Sequence, residues 1–299
     1  MNAGFAYFQG DWIDASALSV PLDDIGLQLG VIIVERLRTF RGVPFEVDGH
    51  VRRLRRSLEI VGWDRARIAE QIRAAINDFM PRNAAQLTPG DDWAIGAFVT
   101  PGRTADAADP TVCVHGFPLD FHRFAKLYES GVHVCLTDVR QVPANCWPPE
   151  LKCRSRMHYY LADREAARRC PGSRALLLDQ QGFVGEASTA NVVCWFRDRG
   201  LVIPRQDGVL PGISQAFLFE LARELGIERR EADITPDQLL AADEIFLTST
   251  SVCLLPVVEV DDRAIGDGAP GPTYARLLAA WSERVGVDVA GQARQFAAR

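Results

Sequence analysis

One lysine stands out among the basic residues of this sequence. The 299-residue chain contains 33 lysine and arginine residues, and only Lys126 and Lys152 are lysines. Lys152 lies in "LKCRSR", just before a helical pattern, with Arg154 and Arg156 two and four residues on. Strand alternation would point both arginines to the side of Lys152, where positive charge helps an amine to lose its proton. Lys152 is thus a candidate nucleophile, and a solvated surface charge is the alternative.

Three other segments contain groups that could bind an anion. "VLPGIS" opens an amphipathic helix, so backbone N–H groups and the Ser214 hydroxyl could hold one, although an ordinary capped helix has the same pattern. "FLTSTSV" is a hydroxyl-rich turn that either binds phosphate oxygens or closes a turn. Arg53 is one of four arginines in "HVRRLRRS", and one that points inward could pair with phosphate.

An acidic residue ends a strand that should be largely buried. Glu186 lies in "GFVGEASTANVVCW", and a carboxylate in that position needs a cationic or N–H partner. A protonated pyridine nitrogen and a structural arginine would both serve. Glu186 is therefore a second candidate, either for cofactor binding or for structure.

The composition indicates a globular protein and excludes some function classes. Hydrophobic residues make up 47% and charged residues 24%, and the net charge of -6 offers no basic surface for nucleic acid. No apolar run approaches the ~18 residues of a membrane span, and the N-terminal residues lack a signal-peptide pattern. The seven cysteines form no Cys-x-x-Cys pair and do not cluster with the histidines, so we expect reduced thiols in the cytoplasm and no metal site.

The order of strand and helix patterns predicts two mixed α/β (α+β) domains. Helical spacing of Val51, Leu54 and Leu58 predicts an amphipathic helix in the first, and Thr235 with Gln238 forms a capping-box pattern in the second. We expect an N-terminal domain over residues 1–118, a connection over 119–131 and a C-terminal domain over 132–299 that carries Lys152.

These motifs, in this order, resemble those of the fold-type IV, or class IV, pyridoxal-phosphate (PLP) enzymes. The resemblance covers most of the chain, from about Asp24 to Asp261, and four ordered motifs carry it. The segments are "DDIGLQLGVIIVERLRTFRGVPFEVDGHVRRLRRS", "LKCRSRMHYYLADREA", "LLLDQQGFVGEASTANVVCW", and "LPGIS" with "TST". The family includes branched-chain aminotransferases, D-amino-acid aminotransferases and aminodeoxychorismate lyases.

The resemblance implies a role for each matched residue. Lys152 matches the Schiff-base lysine, which arginine cannot replace because its guanidinium stays protonated. Glu186 matches the partner of the pyridine nitrogen. Phosphate binding is implied for Arg53, Ile213, Ser214 and Thr250. The resemblance further implies that PLP lies in the cleft between the two domains and that the protein is a homodimer.

The chain departs from the family pattern at the substrate pocket. Val31 and Val34 stand where the family usually has an acid and an aromatic residue, and Pro101 stands where D-amino-acid aminotransferases have an arginine. Arg156 matches an arginine of the lyase group. We expect Val34, Arg156 and Ser251 to line the substrate pocket.

The leading prediction is transamination between an apolar, branched-chain-like amino acid and a 2-oxo acid. The first alternative is β-elimination from an aminodeoxychorismate-like substrate, which gives 4-aminobenzoate and pyruvate. The second alternative is a non-catalytic relative retained for binding.

Overall fold

The structure, a computed structural model, describes residues 4–298 and divides the chain into two compact units. Unit 1 comprises Met1–Leu119 together with Glu150–Ser155, and unit 2 comprises Asp120–Pro149 and Arg156–Arg299. This grouping differs from the predicted ranges 1–118, 119–131 and 132–299, because a short return segment brings Lys152 into unit 1 and residues 120–131 fold with unit 2. The boundaries of the predicted domains, at residues 118 and 131, remain a prediction.

Unit 1 is an antiparallel sheet with helices on one face. Its elements are β1 (Phe5–Phe8), β2 (Asp11–Asp14), α1 (Ile25–Leu29), β3 (Ile33–Phe40), β4 (Val43–Pro44), α2 (Val47–Ile60), α3 (Arg65–Arg82), β5 (Trp93–Thr100) and β6 (Thr111–Pro118). The strand order is β2-β1-β6-β5-β3-β4.

Alternation along β3 separates the two faces of this sheet. Ile33 and Leu37 point into the hydrophobic core, which the buried faces of α2 and α3 complete. Helix α2 buries Val51, Leu54 and Leu58, which confirms the predicted amphipathic helix. Val34 and Arg36, which alternate with Ile33, Glu35 and Leu37 along β3, lie on the opposite face of the sheet.

Unit 2 is built on a mixed sheet. Its elements are α4 (Leu127–Ser130), β7 (Val132–Leu136), α5 (Met157–Arg169), β8 (Arg174–Leu178), β9 (Val184–Ala187), β10 (Asn191–Phe196), β11 (Gly200–Pro204), α6 (Ile213–Glu224), β12 (Arg229–Ala232), α7 (Pro236–Leu240), β13 (Glu244–Ser249), β14 (Cys253–Val260), β15 (Arg263–Ala264), α8 (Pro272–Val285) and α9 (Val289–Gln295). The strand order is β12-β11-β10-β13-β14-β7-β8-β9, and β15 pairs with β14.

Two details of unit 2 bear on the sequence-based expectations. The capping box of Thr235 and Gln238 is present at the start of α7. Residues 174–196 form three strands, because the chain turns a second time between Ala187 and Ala190, which form an isolated bridge. This second turn ends β9 at Ala187, one residue after Glu186, and β10 starts at Asn191.

Candidate active site

Backbone hydrogen bonds fix Lys152 against the edge of β3. Its carbonyl accepts from the N–H of Val34 at 3.0 Å, and its own N–H donates to Ser57 Oγ on α2 at 3.1 Å. Cys153 bridges Ile33 in antiparallel fashion and packs on the core. Because neighbouring residues of an extended segment face opposite sides, Lys152 lies on the face of the sheet that carries Val34.

Arg154 shares that face, as the sequence predicted. Its N–H donates to the carbonyl of Ile32 at 2.9 Å, which continues the extended pairing for two residues beyond Lys152. Arg156 does not follow the predicted alternation, because it is the N-cap of α5 and belongs to unit 2. Its guanidinium carbon lies 5.4 Å from the ring centre of Tyr159.

Arg36 and Arg154 form a cationic face on unit 1, and His115 lies beside them. Arg36 pairs in register with Gly96, and Gly96 pairs with His115. Arg36, Gly96 and His115 therefore form one row across β3, β5 and β6. The His115 ring lies over Gly96, where a Cβ atom would stand only 2.7 Å from His115 Nε2. Burial, and then the charges of Arg154 and Arg36, lower the pKa of His115. The glycine therefore admits the ring, and the two arginines act on it electrostatically.

Arg53 points inward, where it contacts a buried carboxylate. Its Nε donates to Glu35 Oε1 at 2.7 Å and its Nη2 to Oε2 at 2.8 Å, while His50 Nδ1 lies 2.8 Å from the same Oε2. Burial would raise the pKa of Glu35, but the Arg53 charge and hydrogen bonds from both partners outweigh it and hold that pKa well below its usual range. The buried carboxylate thus stays ionised and orients Arg53.

In unit 2, Glu186 is part of a second polar network. The Tyr159 hydroxyl donates to Glu186 Oε1 at 2.6 Å, and Asn191 Nδ2 lies 3.4 Å from Oε2. Burial, followed by the Glu186 charge, raises the pKa of Tyr159 well above its usual value, so this hydroxyl keeps its proton and remains a donor. Glu186 is itself buried.

Asn191 also joins Glu186 to the turn that opens α6. Its Nδ2 donates to the carbonyl of Leu210 at 2.8 Å, and its Oδ1 lies so close to Gly212 that a Cβ atom there would stand 2.0 Å away. Only glycine fits this approach, which explains the Pro-Gly sequence ahead of the helix. Asn191 further pairs in register with Thr248 of β13.

The N-terminus of α6 and the 248–251 turn retain hydrogen-bonding capacity. Among the described residues no side chain caps the helix at Gly212, and Ile213 and Ser214 begin its first turn. Thr248 is 1% exposed, and its Oγ1 has no hydrogen-bond partner in the part of the chain that the structure describes. Thr250 and Ser251 are partly exposed in the turn that follows β13. First-turn N–H groups and hydroxyls are the donors that a phosphate group requires.

The residues that depart from the family pattern lie in different environments. Val31 packs against the core of unit 1, and Val34 and Pro101 are buried. Arg103, two residues after Pro101, is exposed and pairs with Asp23 at 2.9 Å.

Several polar residues of these networks were not singled out from the sequence. Glu35 and Arg36 interrupt the apolar run "VIIVERL", and His50 precedes Arg53 by three residues, which places both on one side of a helix. Tyr159 and Asn191 lie inside segments that had been identified, but their residue types alone did not distinguish them from core or turn residues.

Comparison with known proteins assigns the family. The family described as Amino-transferase class IV matches residues 33–260, which is more than half of the chain. The chain belongs to the class IV aminotransferases. This protein is therefore an enzyme, and its mixed α/β architecture is that of the fold-type IV structures.

The similar proteins are aminotransferases of two kinds. A D-alanine aminotransferase from Bacillus licheniformis is 27% identical over 274 residues, which cover 89% of this class IV chain and 91% of that protein. A branched-chain-amino-acid aminotransferase from Salmonella typhimurium is 26% identical, with 94% and 92% covered. These relatives support aminotransferase activity.

Solved structures of branched-chain amino acid aminotransferases match over nearly the whole chain. The T.th. enzyme in complex with 4-methylvaleric acid has a TM-score of 0.83 at 26% identity, with 95% of each chain covered. The Thermoproteus uzoniensis enzyme with norvaline has a TM-score of 0.82 at 25% identity, covering 98% of this chain and 97% of that one. Among the described residues, no helix has the length and apolarity to cross a membrane.

Proposed function

We propose that this class IV aminotransferase uses PLP to transfer an amino group between an apolar amino acid and a 2-oxo acid. The observation that carries the proposal is the position of Lys152. Its backbone is fixed on both sides, by Ser57 Oγ and by the Val34 N–H, so that its side chain starts from a rigid strand edge. A reacting amine that must return to the same atom in every turnover benefits from such a fixed origin.

The two polar networks fit the chemical groups of PLP. Glu186, held by Tyr159 and Asn191, would pair with the pyridine nitrogen, and the uncapped N-terminus of α6 with Ile213 and Ser214 would hold the phosphate. The buried Thr248 hydroxyl is a donor or acceptor that still needs a partner, and Thr250 follows it in the same turn. These groups come from unit 2, whereas Lys152 and Arg53 come from unit 1, and their assembly around one cofactor is a prediction from the family resemblance.

Lys152 would have two tasks in this reaction. It would attach the cofactor covalently. Its released amine would then take the proton from the substrate α-carbon and give that proton back later in the amino transfer. PLP, when bound, supplies an electron sink for the electrons left at that carbon. An ionised Glu186 would keep the pyridine nitrogen protonated and so strengthen the sink.

The cationic face offers a way to hold the substrate carboxylate. The arginine that D-amino-acid aminotransferases place at the end of this strand is Pro101 here, and Arg103 pairs with Asp23 at the surface. Arg36 and Arg154 lie on the same face as Lys152. Arginine presents several N–H donors in a plane that matches a carboxylate. We therefore propose that one of these two arginines contacts the carboxylate, in place of Arg156 or the N–H groups near Ser251.

An apolar side chain is favoured for the amino acid. Val34 adjoins Lys152 and Phe98 pairs in register with Val34, so two apolar side chains lie beside Lys152 on this face. Each methylene buried there contributes about 0.8 kcal/mol. Norvaline and 4-methylvaleric acid, the ligands named for two of the matched structures, are of the same apolar kind.

Dependence on an acceptor tests the reaction type. The purified enzyme, reconstituted with PLP and given only leucine or norvaline, should convert its bound cofactor once and then stop until a 2-oxo acid is added. Continuous pyruvate release from aminodeoxychorismate without any acceptor would replace the proposal with the lyase alternative. A protein that binds no PLP, judged by its absorbance after dialysis, would favour a non-catalytic relative.

We also propose a homodimer, which is the commonest assembly of soluble proteins. Leu22, Leu27 and Leu29 of unit 1 are exposed around α1, and so are Met157, Tyr160 and Leu161 at the start of α5. Light scattering at assay concentration should give twice the chain mass. An active monomer would contradict the proposal.

A further inference from the structure

Two cysteines that lie 35 residues apart in sequence meet in unit 2. Cys135 belongs to β7 and Cys170 is the C-cap of α5, and the Cys170 thiol donates to the Cys135 sulfur across 3.2 Å. Cys135 is fully buried, whereas Cys170 is partly exposed. The remaining cysteines include the exposed Cys146, which provides a matched control.

The contact lies where helix α5 is anchored to the sheet. Cys135 belongs to a cluster with Ala162 and Ala166 of α5 and Ala175 of β8, and Cys170 and Tyr159 pack against that cluster. The α5 members of this cluster are alanines, whose side chains bury little area each, and Glu165 of α5 also accepts hydrogen bonds from the N–H groups of Asp138 and Val139. A covalent bond between Cys170 and β7 would add to these contacts at the end of α5.

We propose that Cys135 and Cys170 are a modification site, at which a hydroperoxide converts the two thiols into a reversible disulfide that fastens α5 to β7. The proposal concerns the structure of unit 2 and does not depend on the amino-transfer reaction. It rests on the meeting of the two sulfur atoms and on the difference in their exposure.

The order of events follows from that difference. The partly exposed Cys170 sulfur attacks one oxygen of hydrogen peroxide, which gives the sulfenic acid and one water molecule. The Cys135 sulfur then displaces the hydroxyl group from Cys170, so that a second water leaves and the S–S bond forms. Two electrons pass from the thiols to the peroxide, and the Cys135 proton leaves with that second water. Burial, and then Cys170 and Asp261, raise the pKa of Cys135 to about 12, so Cys135 stays protonated until this second step.

The same side chains could be considered as metal ligands, because a carboxylate oxygen of Asp261 lies within 4.8 Å of both sulfur atoms. Two thiolates on a tetrahedral zinc ion, each at about 2.3 Å, are separated by about 3.8 Å. The observed 3.2 Å is shorter than this, and Asp261 Oδ1 already accepts from the Leu136 N–H at 3.0 Å. The geometry favours sulfur–sulfur chemistry, and zinc binding becomes an outcome of the test.

Peptide mapping of the full-length protein tests the proposal without any variant. Reduced protein, freed of reductant, is treated with hydrogen peroxide at low protein concentration, blocked with an alkylating agent and digested with trypsin. We expect the peptide Leu127–Arg140 joined to Cys170–Arg174, and we expect dithiothreitol to separate them. Oxidised Cys170 that remains unlinked, as sulfenic or sulfinic acid, would overturn the proposal.

Two variants and an incubation with zinc complete the experiment. Cys170→Ser should abolish the linked peptide, while Cys146→Ser should form it as the wild type does. The linked form should melt several degrees higher, because the bond closes a 35-residue loop, and dithiothreitol should reverse the shift. Retention of one zinc ion per chain after incubation with zinc chloride and desalting, lost in Cys170→Ser, would overturn the disulfide in favour of a metal site.

Discussion

The candidate anion-binding groups of unit 1 and of unit 2 differ in how far the protein itself satisfies their hydrogen bonds. Arg53 in unit 1 already donates twice to Glu35, and this network is hydrogen-bonded throughout, with Glu35 and His50 buried and Arg53 partly buried. The N-terminus of α6 in unit 2 has no capping side chain, and the nearby Thr248 hydroxyl has no partner among residues 4–298. The first site is balanced internally, whereas the second retains donors for a ligand.

This difference indicates that the charged and polar groups of the two units have different roles. A buried ion pair contributes little net stability, but it fixes the geometry of the groups that it joins. Unit 1 thus uses its charges to hold α2 against β3, beside the edge where Lys152 is bound. Unit 2 leaves helix N–H groups and hydroxyls available, and we expect it to supply most of the phosphate affinity.

The largest expected effect on turnover comes from removing the Lys152 amine of unit 1. Lys152→Ala should lower turnover by at least about 10³-fold, because covalent attachment and proton transfer are lost together. Its melting temperature should stay close to that of the wild type, since the backbone contacts of residue 152 remain. Lys126→Ala is the matched control, and comparable losses in both variants would refute a special role for Lys152.

Breaking the Glu35–His50–Arg53 network should lower the stability of the protein and not only its turnover. Glu35→Gln leaves the Arg53 charge buried without its carboxylate and should lower the free energy of unfolding by about 3–5 kcal/mol. Glu59→Gln removes an exposed carboxylate of α2 that pairs with Arg56 and Arg65, and it should lower the free energy of unfolding far less, because solvent screens exposed ion pairs. Equal costs in urea unfolding would mean that the buried network is not what holds α2 in place.

The corresponding change in unit 2 should affect chemistry more than stability. In Glu186→Gln the Tyr159 hydroxyl can still donate to the amide oxygen, so the fold and PLP binding should persist. Turnover should fall about 10²-fold, the scale of losing one electrostatic partner at a reacting centre. Glu244→Gln, which alters a carboxylate bound to the N–H groups of Thr273 and Tyr274, should keep its turnover. A normal rate in Glu186→Gln would make Glu186 structural.

The smallest effect is a pH dependence of stability to which His50 of unit 1 contributes. Burial lowers the pKa of His50, so the folded protein resists a proton that the unfolded chain accepts below its ordinary value of about 6.5. Stability should therefore fall as pH drops below about 6.5, by at most about 1.4 kcal/mol per pH unit for this group. Burial lowers the pKa of His115 and His158 too, so His50→Gln should reduce the slope without abolishing it. The exposed His122→Gln is the control, and an unchanged slope in His50→Gln would contradict the assignment.

Local patterns predicted the elements better than the networks between them. The spacing of Val51, Leu54 and Leu58 defines α2, because helix periodicity is a property of nearby residues. The pairing of Lys152 with Val34 joins residues that are far apart in the sequence, and no local pattern encodes it. The same holds for the contact of Cys135 with Cys170, which were expected only to be reduced thiols.

The candidate residues followed a similar rule. Motif matches identified Lys152 and Glu186, whose partners in space could not be deduced because hydrogen bonds depend on tertiary packing. Arg53 was selected from four arginines of one helix, and only the structure gives its buried contact with Glu35. The alternation predicted for Arg156 fails because the extended segment stops before it and α5 begins.

Covalent mapping of the cofactor tests the central claim most directly. The PLP-loaded protein is reduced with borohydride, digested with trypsin and analysed by mass spectrometry. A modified Lys152 blocks cleavage at that residue, so the account predicts a labelled peptide Gln141–Arg154 and an unlabelled peptide that ends at Lys126. A label on Lys126, or no label on either lysine, would contradict the account.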